Sequence, residues 1–163
     1  MVVLKWILIV LFLLVVGVVA CGQVGLFQGR MPNDLGVQDG RLKPPSATDN
    51  SVTSQAGLYP DRLQATAARI DPLALRGTGP ETIARIEALV KANDAARVVK
   101  VSPDYVYAQY TSRWLKFVDD VEFWYDPGTH AIQVRSASRI GEGDLGVNRK
   151  RIEAIRAALA AAS

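Results

Sequence analysis

Residues 105–151 read YVYAQYTSRWLKFVDDVEFWYDPGTHAIQVRSASRIGEGDLGVNRKR. This stretch decides the fold, because it combines the clearest two-residue alternation with most of the aromatics and the densest charges. Val121, Phe123 and Tyr125 fall on one side of a strand, with Glu122 and Trp124 opposite; Ile132 and Val134 fall on one side of the next, with Gln133 and Arg135 opposite. Between them, Asp126-Pro127-Gly128-Thr129 is a hairpin turn. Upstream, residues 97–101 and 105–112 read as two further strands joined by Ser102-Pro103-Asp104. Connections this short make the meander antiparallel.

Helices flank the meander. Thr78-Gly79-Pro80-Glu81 is a helix start: Thr78 caps, Pro80 lies in the first turn and Glu81 completes a capping box. Ile83, Ile86, Leu89 and Val90 form its apolar stripe, and Asn93-Asp94 ends it. A closing helix starts near Asn148, with Ile152, Ile155 and Leu159 as its stripe. Residues 68–73 read as a short strand or extended segment, because Asp71 precedes a proline. The expected fold is α+β, an antiparallel sheet of four to five strands with two helices packed on one face. An N-terminal membrane segment and a linker precede it.

The expected division is residues 1–27 as signal or transmembrane anchor, 28–57 as linker or extended arm, and 58–163 as one domain. Trp6 to Ala20 carries no charge, so the segment enters a membrane at least during export. Val18-Val19-Ala20-Cys21 fits a bacterial lipobox, in which Cys21 would be lipidated after cleavage. The other reading is an uncleaved anchor, extended by flanking apolar residues to the length of a spanning helix. Either reading places the folded domain at a membrane and outside the cytoplasm. Residues 22–57 show no sustained period. They read as a tether, or as an arm whose segment 50–55, NSVTSQ, lies ordered across the domain.

Composition excludes several classes of function. The net charge is +3 on 163 residues, too mild and too evenly spread for a nucleic-acid footprint. One cysteine and one histidine make neither a disulfide framework nor a common zinc site. No phosphate loop, dinucleotide fingerprint or metalloprotease helix is present, so no cofactor, metal or catalytic residue is assigned. His130, beside the hairpin turn, reads as an exposed turn residue rather than a base.

Arg135-Ser136-Ala137-Ser138-Arg139 is the main candidate site. Alternation puts Arg135 and Arg139 on one face and Ser136 and Ser138 opposite or in the following loop. Two guanidinium forks near hydroxyls suit a phosphate or carboxylate. Asn148 and Arg149, at the helix start, join the candidate ligand-binding set. Asp119, Asp120, Glu122 and Asp144 are the candidate counter-charges. The competing reading is an internal salt-bridge network that locks loop to sheet. A third reading gives Asp119, Asp120 or Glu122 acid–base or cation-binding work; its alternative is pairing with Arg113, Arg135 or Arg139. Trp114, Leu115 and Phe117 form an apolar loop suited to lipid or a partner.

The strings FVDDVEFWYD, IQVRSASRIGEGDLGVNRKRIEAIR and DNSVTSQ together resemble the bacterial and plastid proteins grouped as domain of unknown function 1499. The likeness runs from about Gln38 to the C-terminus. The family's upstream motif usually reads Pro-Asn-x-Val-Ser-Ser, often with a cysteine; this chain has Asp49 for the proline, Ser51 for the cysteine and Thr53 for the first serine. The resemblance implies a small membrane-tethered or exported domain and supplies no activity. The function expected from the residues is non-catalytic binding of an anionic ligand or envelope partner through the Arg/Ser loop. The alternatives are a hydrolase-like enzyme using Asp119, Asp120 or Glu122, and a structural envelope protein.

Overall fold

A computed structural model of the chain describes residues 2–161. Helix α1 spans Val2–Gln23, 22 residues, and is long and apolar enough to cross a membrane. Its length of about 33 Å matches the hydrocarbon thickness of a bilayer. A five-stranded antiparallel sheet follows: β1 Ser51–Thr53, β2 Ala96–Ser102, β3 Tyr105–Thr111, β4 Val118–Asp126 and β5 Ala131–Ser138. The strand order is β1-β5-β4-β3-β2. Helix α2, Gly79–Lys91, and helix α3, Val147–Ala161, pack on one face. The expected α+β architecture is therefore the one observed.

Local chemistry accounts for the elements. The Thr78 hydroxyl accepts from the Glu81 N–H, and the Glu81 carboxylate accepts from the Thr78 N–H at 2.7 Å, closing the capping box of α2. In the 126–129 turn, Asp126 accepts from the Gly128 N–H and from the Thr129 hydroxyl. The helix-covered face of the sheet presents Val106, Ala108, Val121, Phe123, Ile132 and Val134 to Ile83, Ile86 and Val90 of α2 and to Ile152, Ile155 and Leu159 of α3. Burying each large apolar side chain there contributes about 1.5–3 kcal/mol.

The chain before the sheet is ordered against it. Residues 51–53 form β1, paired with β5 through Ser51 to Ala137, Val52 to Ser136 and Thr53 to Arg135. The fifth strand thus comes from the segment read as tether or arm. Residues 68–73 form two isolated bridges instead of a strand, Thr53 with Arg69 and Leu73 with Ile132. Pro72 lacks the N–H that a continuous ladder through Asp71 would need. Residues 35–44 cross the second face of the sheet. Leu42 is buried there against Tyr105, Tyr107 and Trp124, with Leu35 at the margin. Gln55 holds this arm by accepting from the Leu42 N–H at 2.7 Å and donating to the Gly40 carbonyl at 3.1 Å.

Helix α1 docks on the loop between β3 and β4. Gln23 donates to the carbonyls of Trp114, at 2.8 Å, and Arg113, at 3.3 Å. Gly22 is required at the contact, because a Cβ there would lie 2.6 Å from the Leu115 carbonyl oxygen. Phe27 stacks on Phe117, with ring centroids 5.5 Å apart. Trp114 itself stays 63 % exposed. Of the apolar loop expected to meet lipid or a partner, Leu115 packs against Gly22 of α1 and Phe117 against Phe27, just beyond it.

Candidate functional site

The β4–β5 register sorts the charged residues. Asp119 pairs with Ser138, Asp120 with Ala137, Val121 with Ser136 and Glu122 with Arg135. Side chains alternate across a strand, so Asp119, Ser136 and Ser138 face the helices while Asp120, Glu122, Arg135 and Arg139 face the arm. The structure therefore divides the candidate set between two sites instead of gathering it into one.

On the helix side the polar groups are closed on one another. Asp119 pairs with Arg151 at 2.5 Å. Arg151 also donates to Ser136 Oγ and Asn148 Oδ1, and its guanidinium lies 4.5 Å from the centre of the Tyr110 ring. Ser136 donates to Asn148 Oδ1, and Asn148 donates to the Asn50 carbonyl and to Ser138 Oγ. Arg149 donates to the carbonyls of Ala67 and Arg69. Asp144 accepts from the N–H groups of Gly146 and Asn148, which offsets the cations in the first turn of α3. These contacts fasten α3, β1 and the 67–69 segment to the sheet. Arg113 pairs with no carboxylate among the described residues; it stacks 5.2 Å from the Trp114 ring centre.

On the arm side, the carboxylates of Asp120 and Glu122 are buried with Arg135, and Arg139 is half-buried beside them. Asp120 binds Arg139 through two parallel hydrogen bonds of 2.9 and 2.8 Å and accepts from the Tyr107 hydroxyl at 2.6 Å. Glu122 Oε1 accepts from the Tyr105 hydroxyl and from the Gly36 N–H, both at 2.7 Å. Arg135 stands 3.9 Å from Glu122 Oε2, too far for a hydrogen bond. Glu122 Oε2 is buried and accepts no hydrogen bond among the described residues. The one hydrogen bond of the Arg135 guanidinium among the described residues runs from Nε to the Pro44 carbonyl, at 3.2 Å. Arg135 is nonetheless only 4 % exposed.

Burial sets the electrostatics here. It raises the pKa of Glu122, opposed by the Tyr105 hydroxyl, the Arg135 charge and the Gly36 N–H. It lowers that of Arg135, opposed by Glu122, Asp120 and Asp34. The hydrogen bonds from Asp120 raise that of Arg139. Burial, assisted by the neighbouring carboxylates, raises the pKa of the Tyr105 and Tyr107 hydroxyls.

A cleft of about 430 Å³ opens between the arm and β5. Five cationic side chains line it, Arg30, Lys43, Arg62, Arg135 and Arg139, against two carboxylates, Asp34 and Asp120. Lys43 is held by Asp34 at 2.6 Å and Arg139 by Asp120. The side chains of Arg30 and Arg62 make no hydrogen bond or ion pair among the described residues. The cleft therefore carries an excess of positive charge, with Arg135 at its wall. Arg30, Lys43 and Arg62 escaped sequence reading because they lie in aperiodic chain; only contacts such as Arg135 with Pro44, 91 residues away, bring them to β5. Ser138 reaches the rim of the cleft, whereas Ser136, Asn148 and Arg149 do not line it. Cys21 is a free cysteine in the last turn of α1.

These features define a small α+β domain with an apolar N-terminal helix and a cationic cleft. The chain belongs to the family described as protein of unknown function (DUF1499), whose model matches residues 41–159. No curated protein and no solved structure matches it.

Proposed function

We propose that this protein is a non-catalytic, membrane-tethered envelope domain that binds an anionic group in the cleft between residues 30–47 and β5. The observation that carries this reading is Arg135. It is buried, and both its terminal nitrogens lack hydrogen bonds among the described residues, at the wall of a cleft with surplus positive charge. Terminal guanidinium nitrogens that line a cleft and have no protein acceptor there can take a carboxylate or phosphate oxygen. The apolar length of α1 supports tethering; the outer side of the membrane for the folded domain is part of the proposal.

Asp119, Asp120 and Glu122 support catalysis less well. Asp119 faces the helices and the other two face the arm, so the three cannot act on one substrate. Asp119 and Asp120 are each fastened to an arginine.

Anion binding is tested with the full chain in neutral detergent micelles. Pyrophosphate, phosphate and citrate should raise the thermal unfolding midpoint of the wild type. Arg30→Ser combined with Arg62→Ser should leave the anion-free midpoint unchanged and remove the rise. An equal rise in both proteins, or none in the wild type, would sink the reading.

A further inference from the structure

The cleft lies beside the membrane end of the domain. Helix α1 ends at Gln23 on the loop between β3 and β4, and Phe27 stacks on Phe117 of that loop. Phe117 directly precedes Val118, whose carbonyl accepts from the Arg139 N–H at 3.1 Å. Gly29 packs onto Arg139 so closely that a Cβ would lie 2.7 Å from the Arg139 Cβ. Arg30 follows at once and lines the cleft, as Arg139 does. The contacts thus run without a break from the end of α1 to the cleft. Trp114 is exposed beside the end of α1, with Arg113 over its ring; an amphipathic aromatic of this kind sits at the level of lipid headgroups.

Resting on the anion-binding reading, we infer that the cleft takes the phosphate of an anionic lipid from the membrane that holds α1. Two consequences follow from the geometry. A lipid in the same bilayer is presented at high effective concentration, so a site of modest intrinsic affinity fills. The free guanidiniums of Arg30 and Arg62 meet the phosphate first, and Arg135 completes its hydrogen bonds from the wall.

The test uses the full chain in nanodiscs of phosphatidylcholine, alone or mixed in equal parts with phosphatidylglycerol. The phosphatidylglycerol discs should raise the unfolding midpoint of the domain. Inorganic phosphate added to the phosphatidylcholine discs should act about tenfold more weakly, judged by the concentration needed for an equal shift. Arg30→Ser with Arg62→Ser should cancel the lipid effect and leave the midpoint in phosphatidylcholine alone unchanged. If inorganic phosphate matches the lipid, or acts where the lipid does not, the membrane source is wrong and anion binding stands. If neither probe acts, both readings fall. If the lipid effect survives in the double variant, it is a general surface-charge effect and the inference is overturned.

Discussion

The two faces of one sheet bury charge in different ways. Under the helices, Asp119, Arg151, Ser136, Asn148 and Ser138 form a cluster in which each side chain meets a partner at hydrogen-bond distance. Under the arm, Asp120 and Arg139 are matched as well, but Arg135 and Glu122 are not: they stand 3.9 Å apart, and the atoms facing each other make no hydrogen bond. The covering elements differ correspondingly. A helix presents side chains at a fixed spacing and can be tailored to a polar cluster. An irregular arm covers the sheet with a few anchor points, such as Leu42 and Pro44, and leaves a cleft between them. The closed face is held by its own side chains, and the open face keeps a cleft with surplus positive charge.

Substitutions can break or sharpen that contrast. The largest expected effect belongs to the helix-covered core. Phe123→Ala removes a fully buried ring and should lower stability by about 3–5 kcal/mol in denaturant unfolding of the full chain. On the arm face, Arg139→Met leaves Asp120 buried without its cation, a loss of about 3 kcal/mol, and should weaken anion binding as well. Asn148→Ala should lower stability by about 1–3 kcal/mol, since Ser136, Ser138 and the Asn50 carbonyl lose a buried partner. Anion affinity should not move in that variant. A loss of affinity equal to that of Arg139→Met would erase the distinction between the faces.

The smallest expected effect is at Glu122. Its raised pKa means that the folded chain holds the proton more tightly than the unfolded chain does. Folding therefore takes up protons in the window from the ordinary glutamate value of 4.5 up to the raised value, and the stability it contributes is lost as pH rises through that window. Glu122→Gln should flatten this slope in pH-dependent thermal unfolding. It also removes the internal counter-charge of Arg135, so pyrophosphate should bind more tightly by about 1 kcal/mol at a pH above that window. Unchanged affinity would mean that Arg135 does not contact the anion.

Much of the scaffold was legible in the sequence. The capping box at Thr78 and Glu81, the apolar stripes of α2 and α3 and the 126–129 turn depend on neighbours within a few residues, and each appears where expected. Alternation also sorted Arg135 and Arg139 from Ser136 and Ser138. The pairing of charges was not legible. Asp119 takes Arg151, 32 residues away on α3, instead of an arginine of the hairpin. The segment NSVTSQ carries hydroxyls and amides with no apolar period, so nothing local marks Ser51–Thr53 as the fifth strand.

By itself, the sequence determined the apolar helix, the antiparallel meander and the face on which each strand residue lies. These follow from hydrophobicity and backbone periodicity, which act over a few residues. The tertiary structure alone decided that one Arg/Ser string divides between the two faces of the sheet, and that residues 30–47 roof a cationic cleft near the end of the apolar N-terminal helix. Those outcomes depend on hydrogen bonds and burial between segments 80–91 residues apart, such as Ser54 with Val134 and Arg135 with Pro44, and no local pattern encodes them.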